Sequence, residues 1–171
     1  SSLSISEVVN HGHFNNLEFM AVGVAPIANA AGFGAQFAEV EVDTETGEVQ
    51  VLRVVSAHDV GRAINPMIVA GQIEGGIYHG LAQALAEEMV VDRQTGQCLN
   101  PNFMDYKFLT AADVPNFEAI LVEPVDPNGP FGVKGVAQNS TSMAPAAIAN
   151  AVADAIGVHI YELPITPERV L

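Results

Sequence analysis

The chain has 171 residues, 49% apolar and 15% charged, with a formal net charge of −14 and a single cysteine. That composition supports one hydrophobic core and argues against disorder, and six Lys and Arg cannot build the basic face that nucleic acid or an anionic membrane surface requires. Cys98 alone excludes an internal disulfide framework and any Cys-x-x-Cys metal site, which fits a reducing compartment, so a cytoplasmic protein is expected.

No apolar run approaches the roughly 18–20 residues of a membrane span, and no basic-then-apolar leader opens the chain. The first residue is not Met, so the chain is expected to be trimmed or a piece of something longer. Residues 1–30 are the least regular part and read as an arm or inter-chain contact, set apart from a domain over 31–171. "AQFAEVEVDTETGEVQVLRVVSAHDV" reads as a β-hairpin. Phe37, Val40 and Val42 precede the turn, Val49, Val51 and Val54 follow it, and "DTETGE" supplies the tight connection. Glu39, Glu41, Asp43 and Glu45 alternate with the apolar residues and form its solvated face.

"INPMIVAGQIEGGIYHGLAQALAEEM" predicts a helix capped by Asn65, with Pro66 at its first position. Gly71 threatens to interrupt it, so the regular helix is expected from about Gln72. Val69, Ile73, Ile77, Leu81 and Leu85 give one apolar stripe. Gly76, Gly80 and Ala84 give a second stripe of small residues, at a cost of roughly 1 kcal/mol per glycine. Its return is close backbone approach, either helix-on-sheet packing or contact with a large cofactor. "EEMVVDRQTGQCLN" predicts a second, smaller hairpin, and "FEAILVEP" a strand. After the glycine-rich loop "GPFGVKGVAQ", a helix capped by Ser140, Thr141 or Ser142 is expected. It buries Met143, Ala147, Ile148, Ala151, Val152 and Ile156 and stops at Gly157. The tail "HIYELPITPERVL" reads as extended. Strands and helices segregate rather than alternate. The fold class is therefore α+β, β-hairpins with helices packed on one side.

The residues alone carry little chemistry. The loop at 129–138 fails as a phosphate loop, because Lys134 is followed by Gly135 and Val136 rather than Ser or Thr. Of the five histidines, His11 and His13 in "HGH" read as solvated, His79 and His159 as structural, and His58 beside Asp59 as a structural hydrogen-bonding residue before an oriented catalytic one. No His-rich metal motif or nucleophile elbow occurs. Glu74 stands out beside Gln72 and a glycine pair.

Four ordered motifs carry more. "HDVGRAINPMIVAGQIEGGIYHGLAQALAEE", "NFMDYKFLTAADVP", "GPFGVKGVAQ" and "AIANAVADAIG" followed by "LPITPERV" span about Gly32 to the end. This stretch resembles the C-terminal part of the molybdenum-binding subunit of the xanthine dehydrogenase/aldehyde oxidase family, the molybdenum hydroxylases. The resemblance implies a molybdopterin cofactor, in bacteria often its cytosine dinucleotide form. It also implies transfer of oxygen from water to an electron-poor carbon of a small-molecule substrate. Partner iron–sulfur and FAD-containing flavin subunits would take up two electrons. The glutamine of the family's G-Q-x-E-G motif, a cofactor contact, maps onto Gln72. The family's K-G-x-G-E loop maps onto Lys134, Gly135, Val136, Ala137 and Gln138. Its glutamate is the general base of the hydroxylation; no residue of the loop binds the metal directly.

Two departures follow. The upstream segments that hold the pterin and line the substrate pocket are absent, so the chain is expected to bind the remainder of the molybdenum-binding subunit as a separate chain and to be inactive alone. Where the family has Gly-Glu, this chain has Ala137-Gln138, and an amide takes no proton at useful pH. Losing a general base costs about 10²–10⁴ in rate. The reaction then needs no base there, or Glu74 or a partner residue supplies it, or the site is idle. The alternative function is a non-catalytic scaffold that keeps the family fold and completes a molybdoenzyme complex.

Overall fold

The computed structural model describes residues 4–15 and 30–171. Within the stretch expected to be irregular, helix α1 (Ile5–Phe14) forms. Ser4 caps it, and Glu7 reaches back to close a capping box. The rest of that stretch, 16–29, lies outside the described residues.

The hairpin forms as β1 (Gly34–Val42) and β2 (Val49–Asp59), paired antiparallel. The Asp43 side chain accepts from the backbone of Glu45 and Thr46, and Gly47 takes φ +77° to complete the turn. The ladder slips between Glu39 and Val40, leaving Leu52 as an extra residue on β2. That bulge resets the alternation. Val51 and Val54 of β2 both face the core, whereas β1 alternates without a break, with Val40 and Val42 inward and Phe37 exposed. β3 (Asn116–Val122) joins β2 in parallel, giving the order β1-β2-β3. A parallel neighbour needs a long crossover, and α2 (Pro66–Leu85) provides it.

α2 starts as expected, the Asn65 side chain accepting from Ile68 N–H. It runs unbroken through Gly71, whose missing side chain costs propensity but not helical geometry. α3 (Ala137–Ile156) ends at Gly157 in the left-handed conformation. It begins before the expected caps. Ser140 and Ser142 turn their hydroxyls back onto the carbonyls of Ala137 and Gln138, the bond such residues make inside a helix. The second hairpin reduces to a single bridge, Val91 to Cys98. Its residues are mostly exposed, so no apolar face extends the pairing. The tail is not wholly extended either, since Pro167–Val170 forms α4 with Pro167 at its first turn.

One core lies between the sheet and the two long helices. Ile73, Ile77 and Leu81 of α2 and Ala144, Ile148 and Val152 of α3 pack on Val51 and Val54. The remaining expected α3 residues, such as Met143 and Ala147, are half-buried. No helix among the described residues is long and apolar enough to cross a membrane.

Candidate molybdopterin-facing site

The two long helices touch along their glycine stripe. A Cβ on Gly76 would lie 1.9 Å from Ser140 Oγ, and one on Gly80 would lie 2.5 Å from the Ala144 Cβ and 2.9 Å from the Thr141 carbonyl oxygen. The stripe therefore serves helix-on-helix packing, rather than the helix-on-sheet contact its sequence suggested. On the same helix, Gly71 and Gly75 face open space, with nothing within 4 Å of a Cβ.

Where the seam opens to solvent it forms a cleft of about 250 Å³, lined by Gln72, Gly75, Gly76 and His79 of α2 and by Ala137, Gln138 and Thr141 of α3. Whole small-molecule sites occupy about 300–1,000 Å³, so this cleft is smaller than a whole site of that kind. No carboxylate lines it, although the chain carries 20 Asp and Glu. Its polar groups are two exposed side-chain amides, an imidazole and a hydroxyl, together with the first turn of α3, whose N-cap Val136 offers no side-chain cap. The first N–H groups of a helix lack intrahelical partners and favour negative charge.

Gln72 and Gln138, far apart in sequence, thus come together. Gly135 is exposed with open space around it, Val136 is half-buried against the core, and Ala137 is exposed at the cleft. Lys134 turns the other way. Its Nζ sits 2.6 Å from Asp59 Oδ2, 3.5 Å from Asp126 Oδ2 and 3.0 Å from the Ala31 carbonyl oxygen, over the Phe33 ring. The hydrogen bond it donates to Asp59 holds the ammonium above the usual lysine range, and the same bond holds the Asp59 carboxyl below the usual carboxylate range. The Lys134 backbone N–H also bonds the Val60 carbonyl, and Arg62 N–H bonds the Gly132 carbonyl. Lys134 consequently pins the loop to the end of β2, so that the chain emerges at Gly135 toward the cleft.

Glu74 is exposed but does not line the cleft. Two residues along a helix is a rotation of about 200°, so nearness to Gln72 in sequence puts Glu74 on another face, outside the cleft lining. His79, read as structural from sequence, lines the cleft instead. The signal was the spacing 72, 75, 76, 79, one helix face at i, i+3, i+4 and i+7. Thr141, expected as a cap, is inside α3 and lines the cleft as well. His58 is buried and bonded to Ser56, and burial lowers its tendency to protonate. No group of three or more His, Cys, Asp or Glu among the described residues is placed to hold a metal ion.

Residues 1–115 match the family model of the molybdopterin cofactor-binding domain. The chain belongs to that family. The match takes in residues 1–30 as well as the hairpin and α2. The chain is 39% identical over 141 residues to the xanthine dehydrogenase molybdenum-binding subunit of Escherichia coli O157:H7, covering 82% of this chain and 19% of the relative. It is 42% identical over 135 residues to the nicotine 6-hydroxylase large subunit of Paenarthrobacter nicotinovorans, covering 77% and 16%. Among solved structures, quinoline 2-oxidoreductase from Pseudomonas putida 86 superposes with a TM-score of 0.71 at 40% identity, covering 77% of this chain and 17% of that one. The Cu,Mo-CO dehydrogenase superposes with a TM-score of 0.75 at 34% identity, covering 81% and 18%. The chain thus spans about a fifth of the length of the relatives it matches. The resemblance read from its motifs holds, and the relatives are molybdenum oxidoreductases.

Proposed function

We propose that this chain supplies one wall of the molybdenum site of a hydroxylase-type oxidoreductase and is inactive without the rest of the molybdenum-binding subunit. The observation that carries this reading is the meeting of Gln72 and Gln138 in one cleft that contains no carboxylate. The residues suit the cofactor. The open Gly75 leaves a cradle that a side chain would fill, and the amides with the first turn of α3 offer donors to pterin and phosphate groups. When bound, the molybdenum cofactor supplies two-electron transfer of oxygen to an electron-poor carbon.

Gln72 binds the cofactor through its amide. Lys134 acts from behind, fixing the loop that carries Gly135, Val136 and Ala137 past the cofactor. Gln138 donates and accepts hydrogen bonds and orients a reacting group, but it holds no proton to give or take near neutral pH. The cofactor is molybdopterin, as such or as its cytosine dinucleotide. Iron–sulfur clusters and FAD lie on partner chains, 31–171 form the C-terminal cofactor-binding domain, and the assembly works in the cytoplasm on a small-molecule substrate.

Metal and pterin analysis of the intact assembly tests the reading, and an assembly free of both sinks it. With Gln138→Glu we expect a base to be restored. Turnover then rises or the substrate range shifts, and a new ionisation enters the pH profile in the carboxylate range. A variant unchanged in rate, substrate range and pH profile removes residue 138 from the chemistry and leaves the scaffold reading.

A further inference from the structure

A buried polar cluster lies behind the cleft. Gln36 on β1 and Ser56 and His58 on β2 face the helices, with Gln36 opposite Ser56 and Gly34 opposite His58. Ser56 and His58 are fully buried. Ser56 Oγ lies 2.6 Å from His58 Nε2, and Gln36 Nε2 donates to the Ser140 carbonyl oxygen at 3.0 Å. Two buried atoms have no partner among the described residues, Gln36 Oε1 and His58 Nδ1. Gly34 makes the room, since a Cβ there would lie 3.1 Å from His58 Nδ1 and 2.6 Å from Met143 Cε.

Donors and acceptors can be assigned in turn. The Ser140 carbonyl only accepts, so the Gln36 amide nitrogen faces it and an acceptor, Oε1, is left over. The Ser56 hydroxyl has one hydrogen, and the acceptor within its reach among the described residues is His58 Nε2. Nε2 is then unprotonated, and the neutral ring carries its proton on Nδ1. The two orphans are therefore one donor and one acceptor, at diagonal positions of neighbouring strands where long side chains meet. Buried groups of this kind are rarely left unpaired.

We propose that Ser56, His58, Gln36 and the Ser140 carbonyl form one ordered hydrogen-bonded chain, closed between His58 Nδ1–H and Gln36 Oε1 through one water. The chain fixes the first turn of α3, making Gln36 and His58 positioning residues for Gln138; only this last step rests on the function proposed above. Two features make an outside anchor useful at this turn. Pro145 has no N–H, which leaves the Thr141 carbonyl without its helical partner. Ser140 also fits against Gly76, so the anchored turn borders the cleft.

Hydrogen–deuterium exchange of the intact assembly tests this, read over 138–146 in Gln36→Leu, His58→Phe and the double variant. Each single change is expected to speed exchange there on the order of tenfold, and the double no further, because both cut the same chain. Additive effects, or a His58→Phe protein with unchanged α3 exchange, overturn the proposal. If His58→Phe fails to assemble, a neutron structure of the wild type decides. A proton on Nδ1 and contacts of about 2.7–3.2 Å across the gap support the chain; a proton on Nε2 or an open gap overturns it. Kinetics isolate the last step. A fall in kcat at constant KM in Gln36→Leu supports it, whereas faster exchange with unchanged kcat keeps the chain and removes Gln138 from the site.

Discussion

Gly76 and Gly75 are neighbours on one helix and do opposite things. Gly76 is filled by its own chain, with Ser140 of α3 where its side chain would be, and Gly80 one turn on meets Ala144. Gly75 faces nothing, as do Gly71 upstream and Gly135 on the opposing loop. A glycine that packs against a neighbouring element is explained by the fold. A glycine that leaves open space beside hydrogen-bonding side chains has its cost unexplained until something outside the chain approaches. The same residue type thus marks a packed inner seam and an open face, and the proposed site lies where one gives way to the other.

Substitution at the closed position should break the fold. Gly76→Val forces α3 away from α2, and a loss of about 1–3 kcal/mol is expected in unfolding experiments on the intact protein. A variant as stable as the wild type would show that the seam is looser than described.

The anchor behind the wall comes next. Lys134→Met leaves Asp59 and Asp126 without their shared cation, so a clear loss of stability is expected near neutral pH. The signs differ at the two ends of the pH scale. The depressed Asp59 carboxyl contributes stability above the ordinary carboxylate value of about 3.9, lost as pH falls through its lower folded value. The raised Lys134 ammonium contributes below about 10.4, lost as pH rises through its higher folded value. Melting temperatures across that range should therefore show the variant's deficit in the middle and its convergence with wild type at both extremes. A deficit independent of pH would mean that the side chain acts by packing.

The smallest effect is expected at Glu74, which sits beside Gln72 in sequence and outside the cleft in space. Glu74→Gln should leave the pH profile of turnover unchanged. A lost ionisation would restore Glu74 as a base.

Much of this was legible in the sequence. The hairpin, the Asn65 cap, the apolar stripe of α2 and the Gly157 stop follow from local patterns, and local patterns decided them. What was not legible depended on distant partners. The bulge at Leu52, the parallel seat of β3 and the inward turn of Lys134 toward Asp59 and Asp126 need the assembled chain. The serines after the loop read as caps because capping and back-bonding use the same side chains. In the site, Gln72 and the loop through Gln138 came from resemblance, while His79 needed the helix face to be read as a cleft.

The proposed function puts the molybdenum cofactor against the open glycine face. The direct measurement is molybdenum and pterin per molecule of intact assembly, for Gly75→Val beside wild type. Cofactor is expected in the wild type and depletion in the variant, with stability within about 0.5 kcal/mol because no contact of the fold is disturbed. A wild type without molybdenum, or a Gly75→Val protein that keeps its full complement, would contradict it.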